Sequence, residues 1–355
     1  MKKETLIQVI IIILLTIILA GLIFITIKEL NNRNYGMYGN NPMHQNNPIE
    51  EEVVKDTKKE DVDSGNKVKA NNINLNDYNS NINISEAGEY NITGEFKNSI
   101  IIDSTEKVIL NLNSATIDSQ ITAAIANINS GELVINLVKD TTNILKDNGS
   151  SEYDGCIYSE GKLTIEGSGI LKVYGRQVEG EGIATETNDI TINGGDIYIE
   201  SADDGLNAGG DGGIITINNG NVFIKASGDG IDSNKNLIIN GGTVYTMGST
   251  IGGDAGIDTD GGFEINGGEV IALGSDMLQN PNNTSKQKYI SFTLNTKISN
   301  GSNVSLKDNN ETEVVSFEAK EEFRTLIISN SKLTTGTKYY LYVNGEKTEY
   351  NQILK

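Results

Sequence analysis

Apolar and polar residues alternate in short bursts through most of this chain, and the bursts recur. The phrase SGDGIDSNKNLIINGGTVYTMGS (227–249) returns in nearly the same form as AGIDTDGGFEINGGEVIALGS (255–275). Related stems stand upstream: LTIEGSGILKV (163–173), ITINGGDIYIES (190–201) and ITINNGNVFIKAS (215–227). A Gly-apolar step precedes each stem, at Gly155-Cys156, Gly182-Ile183, Gly205-Leu206, Gly230-Ile231 and Gly256-Ile257, so the units are 23 to 27 residues long. Each unit holds three period-two segments separated by Gly and Asn turns, and none has helical periodicity. One such unit cannot bury its own apolar positions, but a stack of them buries a continuous column. The spacing therefore predicts an all-β, right-handed parallel β-helix, each unit one coil with three faces. Leucine-rich repeats, calcium-binding nonapeptide rolls and propeller blades fit the period or the pattern less well.

Looser alternation in SIIIDST (99–105), KVILNLNSATI (107–117), AAIANIN (123–129) and ELVINLV (132–138) fits opening coils. The repeat stops after Met277. Residues 279–355 carry several further strand patterns and an Asn344-Gly345 pair that marks a hairpin. They are expected to form a small C-terminal β cap over the exposed edge of a β-helix at 71–278.

The N-terminal end has a different pattern. Thr5–Ile27 is an uncharged apolar run long enough to span a bilayer, after a basic start at Lys2 and Lys3. Residues 1–30 are read as one transmembrane signal-anchor, with the body outside the cell membrane; secretion after signal cleavage is the alternative. Residues 31–70 lack apolar periodicity and are read as a disordered tether. The single histidine, His44, lies there, which removes histidine from any site in the body.

Composition narrows the partners. Asp and Glu total 48 against 28 Lys and Arg, a formal charge of −20, which disfavours nucleic acid and favours cations. One cysteine excludes an internal disulfide. The body is expected to be monomeric.

Stacking the units places like residues above one another, about 4.8 Å apart. Asn193, Asn218, Asn240 and Asn266 form one such column, expected to be a structural amide ladder. Tyr198, Phe223 and Tyr245 form another, with Ile271 in the fourth position. Alternation turns these side chains outward, so they are candidates for a carbohydrate-binding strip, although cross-strand aromatic pairs can equally serve the sheet itself or lie under the C-terminal unit. The third column lies at the Gly-apolar step. Asp203, Asp204, Asn207, Asp229, Asp232, Asp254, Asp258 and Asp260 gather there, with Asp204 expected near Asp229 and Asp232 near Asp258. Like charges at that separation repel unless neutralised. Hard oxygen donors in a turn suit Ca²⁺, while solvated turn aspartates are the plainer explanation. Strict alternation would turn Asp229 inward beside Ile231, so a bend is required at Gly230.

The ordered phrases YDGCIYSEGKLTIEGSGILKV, ATETNDITINGGDIYIESADDGLNA and SGDGIDSNKNLIINGGTVY resemble a family of secreted bacterial carbohydrate-binding β-helix proteins. AAIANINSGELVINLVKDTTNILKDN and GSDMLQNP extend the likeness, which covers roughly residues 80–350. The resemblance implies a pectate-lyase-like shape, bound calcium, and affinity for cellulose and acidic, pectin-like polysaccharides. It also implies that the aspartates of DDG, DGID and AGID are calcium ligands; Glu181 and Ala255 depart from that pattern.

These readings lead first to a cell-surface polysaccharide-binding protein, in which Ca²⁺ bridges protein and sugar carboxylates. A polysaccharide lyase is the alternative, with Lys225 or Lys235 as candidate base. A hydrolase using Asp203 and Asp204 lacks accompanying cationic groups. A calcium-rigidified scaffold that binds no glycan is the third class.

Overall fold

The computed structural model describes residues 66–67, 71–150, 152–210 and 213–354. The expected signal-anchor and nearly all of the tether lie outside the described residues; Asn66–Lys67, expected in the tether, instead form a strand parallel to Ile82–Ile84. Among those described, no helix is long and apolar enough to cross a membrane, and the one helical turn is Leu75–Asp77.

The described chain is an all-β, right-handed parallel solenoid. Its first face is a nine-stranded sheet, one short strand per coil. Five successive coils carry the repeat, the first made by Ile157–Ser159, Leu163–Gly167 and Ile170–Tyr174. Ile183–Thr185, Ile190–Ile192 and Asp196–Glu200 make one turn, and Leu206–Ala208, Ile215–Ile217 and Asn221–Lys225 the next. Ile231–Ser233, Leu237–Ile239 and Thr243–Met247 follow, then Asp258–Thr259, Phe263–Ile265 and Glu269–Gly274. The second and third faces belong to one 17-stranded sheet, because Gly88–Phe96 and Val108–Ser119 run unbroken around the corner between them.

Alternation decides what is buried. Ile231, Leu237, Ile239 and Val244, the expected inward positions of the 227–249 coil, are all buried, as are their counterparts above and below. Each buried aliphatic side chain contributes roughly 1.5–3 kcal/mol relative to an exposed one, and the column has no gap along its length.

Two kinds of glycine hold the phrase in shape. The second glycine of each Asn-Gly-Gly turn has φ near +90°, for example +80° at Gly242 and +87° at Gly268, where a Cβ is strained. The glycine of the Gly-apolar step instead allows close approach. A Cβ at Gly205 would stand 2.2 Å from Ile224 Cγ2 and 2.5 Å from the carbonyl oxygen of Gly230.

The asparagine ladder is real and longer than the repeat. Asn218 Nδ2 donates to Asn193 Oδ1 at 2.8 Å, Asn240 to Asn218 at 2.8 Å, and Asn266 to Asn240 at 3.1 Å. The same column continues upstream, where Asn91 donates to Asn72 at 2.9 Å, Asn111 to Asn91 at 2.9 Å and Asn136 to Asn111 at 2.7 Å. Glu166 pairs with Asn136 and interrupts it. The amide of Lys286 donates to Asn266 Oδ1 at the far end.

The C-terminal residues do more than cover the open end. Phe323–Ser329 pairs antiparallel with Glu269–Gly274, the last third-face strand, and Tyr289–Ile298 pairs antiparallel with Phe323–Ser329. The cap thus extends the sheet by hydrogen bonds and carries its own four-stranded sheet. Asn344 and Gly345, with φ of 51° and 81°, form the expected two-residue turn between Lys338–Val343 and Glu346–Ile353.

Candidate functional site

Two surfaces of the solenoid gather chemistry: a groove along the third face and the corner leading from the third face to the first.

The groove is built by pairing. Tyr198 stands opposite Phe223, and Phe223 opposite Tyr245, with Ile271 beyond. Phe223 and Tyr245 stack with centroids 5.3 Å apart and 10° between planes, while Tyr198 and Phe223 lie 6.1 Å apart at 42°. The strip is not uniformly open. Tyr245 meets Phe317 of the cap edge-on at 5.6 Å, and its hydroxyl donates to the carbonyl of Glu318 at 3.2 Å. Burial pushes the Tyr245 phenol above its ordinary value. Tyr198 remains 46% exposed. The three expected aromatics therefore divide into a structural end at Tyr245 and an accessible end at Tyr198, with Phe223 half-buried between.

The open end is a groove of about 480 Å³, to which Lys172, Tyr174 and Glu200 also contribute. Lys172 pairs with Tyr198 on the preceding coil, and Tyr174 with Glu200. Both Lys172 and Tyr174 escape a reading of the sequence confined to aromatic columns, because their coil has lysine where later coils have rings. Lys225 contacts Glu321 of the cap at 2.6 Å and Glu200 at 3.6 Å. The hydrogen bond to Glu321 raises its pKa, which keeps it protonated and opposes a role as base. Lys235 is exposed in the turn between first and second faces, where its backbone N–H donates to Ser233 Oγ.

At the corner, the hydrogen-bond ladder fixes a register one residue different from that expected for the earliest unit. Cys156, Gly182, Gly205 and Gly230 occupy equivalent positions, each donating its N–H to the next coil's residue before the step. Glu181, Asp204, Asp229 and Ala255 therefore form one column, and Asp154 belongs with Asp203 and Asp254. The counterpart of Asp204 in the preceding coil is Glu181, whose carboxylate the sequence reading treats as a departure.

The carboxylates are held close. Asn207 Nδ2 donates to Glu181 Oε1 at 2.6 Å and to Asp204 Oδ2 at 3.1 Å. The amide of Asp229 donates to Asp204 Oδ1 at 2.7 Å, and that of Ala255 donates to Asp229 Oδ1. The backbone bends at Gly230 as expected, leaving Asp229 half-buried and Ile231 fully buried. On the first face, Asn207, Asp232 and Asp258 stack outward in register.

Burial and like charge act together here. Glu181, 7% exposed, is pushed up to about 10 by burial and then by Asp154, Asp204 and Asp203. Burial, with Asp203, Asp229 and Asp232, raises Asp204 to about 8 against the capping N–H of Asp229. Asp229 rises to about 7 and Asp232 to about 6, burial leading in both and Asp258 adding to each. Asp203 and Asp254 are raised by burial and by neighbouring acids. Asp260 is exposed, its N–H donating to the carbonyl of Ser233.

Among the described residues no lysine or arginine forms an ion pair with Asp203, Asp204, Asp229, Asp232, Asp254 or Asp258. Arg176 serves only the upstream end, contacting the buried Asp147 at 3.2 Å and Asp154 at 3.6 Å. The donor set is all oxygen, which suits a hard cation. Among the described residues, however, no three histidine, cysteine, aspartate or glutamate side chains converge on one point as a finished metal site.

A parallel solenoid with an open aromatic groove beside an acidic corner defines a class of glycan-associated β-helix proteins. The model of the family described as "Carbohydrate-binding domain-containing protein" matches residues 78–312, and the chain belongs to that family. A search of curated proteins finds no match. Among solved structures, a polysaccharide lyase-like protein from C. thermocellum, determined as a gadolinium derivative, is similar at 23% identity, with a TM-score of 0.42. That similarity covers 58% of this chain and 88% of the other.

Proposed function

We propose that this protein binds an acidic or plant-type polysaccharide at the cell surface through the third-face groove, with calcium held at the neighbouring acidic corner. The observation that carries this reading is the half-exposed Tyr198 ring, continued by Phe223 and flanked by Lys172, in a member of a carbohydrate-binding family. An aromatic ring offers a flat apolar face to the C–H groups of a pyranose, and a lysine beside it suits a sugar carboxylate.

Asp203 and Asp204 follow Glu200, at the groove's edge, by three and four residues. A calcium ion drawing on Asp203, Asp204, Asn207, Asp229, Asp232, Asp254 and Asp258 would relieve their mutual repulsion and could be shared with a uronate. Reaching such a site requires side chains from adjacent coils to rotate toward one another. Asp260, exposed at the corner's rim, would contribute through solvent or not at all. The uncharged run at 5–27 would anchor the body to the membrane, with residues 31–70 as its tether.

Lyase chemistry is not favoured, because the groove lysine read as a candidate base is held protonated by Glu321 and Glu200. The test is retention of the full chain on polygalacturonate and on cellulose, with calcium and with EDTA. Calcium-dependent retention without an unsaturated product supports binding. An absorbing unsaturated uronide would replace it with the lyase reading, and calcium uptake without retention on either polymer would leave the scaffold reading.

A further inference from the structure

A second concavity lies on the first face, among the early coils. On that face Ile101, Ala126 and Tyr158 stand in register, and Ala126 is fully buried beneath the concavity's neighbours. Two corner loops lean over the hollow. They are tied together by Asn148 N–H to the carbonyl of Ser119 at 2.9 Å and Ser150 N–H to that of Ile121 at 2.8 Å. Gly149 permits this contact, since a Cβ there would fall 2.2 Å from the backbone of Ile121 and Thr122. The result is a pocket of about 400 Å³, within the roughly 300–1,000 Å³ range of small-ligand sites.

Its lining has two halves. Ile101, Ile121, Ile128 and the ring of Tyr153 supply an apolar side. Tyr153 is backed by Tyr158, 5.2 Å away and 26° from parallel, which fixes the plane of the ring. Ile121 is 43% exposed and so offers its side chain to the pocket's mouth. Asn81, Asn83, Ser85, Asp103 and Glu152 supply the polar side. Thr122, also in the lining, is buried with a hydroxyl that has no hydrogen-bond partner, so the fold leaves one donor unused there. No lysine, arginine or histidine lines this pocket, whereas Lys172 and Lys225 line the third-face groove.

We infer that this pocket is a second saccharide-binding site, separate from the groove, and that it takes a neutral hexose unit of a polysaccharide. The apolar side faces the C–H surface of the ring, while the amides and carboxylates accept and donate at its hydroxyls. Asp103 and Glu152, with no cation beside them in the lining, repel a uronate. The pocket thus selects against uronates by its own lining, and this inference does not depend on the groove reading.

The test uses the full chain carrying Tyr198→Ala, so that the groove is weakened, titrated calorimetrically with cellotetraose, mannotetraose and trigalacturonate. At least one neutral tetrasaccharide should still bind, and adding Ile121→Arg, which fills the hollow from an exposed position, should weaken it by about tenfold or more. Glu152→Gln, a milder exposed change, should retain neutral binding and raise the affinity for trigalacturonate, which keeps the test informative if Ile121→Arg unfolds the coil. The inference is overturned if neither neutral sugar binds the Tyr198→Ala chain, or if folded Ile121→Arg leaves that binding unchanged. A loss of trigalacturonate binding on adding Ile121→Arg as large as the loss for the neutral sugar would also overturn it.

Discussion

Tyr245 and Tyr198 sit two coils apart in one column, yet the first donates a hydrogen bond to the cap while the second faces solvent. Identical chemistry in one register thus serves two purposes. Tyr198→Ala should weaken polysaccharide binding by roughly three- to tenfold, matching the ~0.5–1.5 kcal/mol of a stacked aromatic contact, with little change in unfolding. Tyr245→Ala should instead cost on the order of 2–3 kcal/mol of stability through lost packing against Phe223 and Phe317. Affinity electrophoresis and urea titration of both variants separate the effects; equal losses of affinity would refute the division.

The acidic corner makes a pH prediction whose sign is fixed. Glu181, Asp204, Asp229 and Asp232 rise to about 10, 8, 7 and 6 from ordinary values of 4.5 for Glu and 3.8 for Asp. The folded state therefore binds more protons than the unfolded chain between about pH 4 and pH 10. Their contribution to stability is present below the unfolded values and is lost as pH rises through the folded ones. In EDTA the melting temperature should fall across this window, and calcium should oppose the fall. Asp229→Asn with Asp232→Asn should flatten the slope and reduce the calcium-dependent rise. A melting temperature that climbs from pH 5 to pH 8 in EDTA would contradict the assignment.

Glu166 is the break in an otherwise continuous amide column. Glu166→Asn should allow hydrogen bonds to Asn136 and Asn193 and stabilise the fold by about 0.5–1.5 kcal/mol, while Asn218→Ala should cost about 1–2 kcal/mol. Equilibrium denaturation of the two variants checks both directions.

Gly205→Ala tests the repeated glycine. The new methyl would collide with Ile224 and with the Gly230 carbonyl, both fixed in the coil stack. A loss of about 3 kcal/mol or more is expected, against well under 1 kcal/mol for alanine at the exposed Gly253, where nothing lies within 4 Å. Thermal melts of the two variants make the comparison.

The coil architecture was legible because burial, turn glycines and the asparagine column all repeat with one period. Leu237, Ile239 and Asn240 could be assigned to inside and turn from the phrase alone. The register of the earliest unit was not, since Gly155 and Cys156 offer two superficially equal alignments. Only the interstrand hydrogen bond from Cys156 to Glu181 chooses between them. That one-residue difference moves Asp154 out of the column of Glu181, Asp204 and Asp229 and into that of Asp203 and Asp254. That the C-terminal unit lies over part of the aromatic column is one of the sequence alternatives, but its landing on Tyr245 through Phe317 is not legible, because the contact joins residues far apart in a region without the repeat. The first-face pocket depends on the corner loops at Ile121 and Gly149, which are joined by backbone hydrogen bonds that no periodic signal marks.

The antiparallel pairing of Phe323–Ser329 with the last coil has a consequence for how the molecule meets its own copies. A column of identical rungs is a growing template, ready to accept a further strand of the same direction. A strand running the opposite way presents the wrong hydrogen-bond spacing for another parallel rung. The cap therefore works as a terminator, fixing the length of the solenoid and opposing end-to-end joining of its copies into fibres.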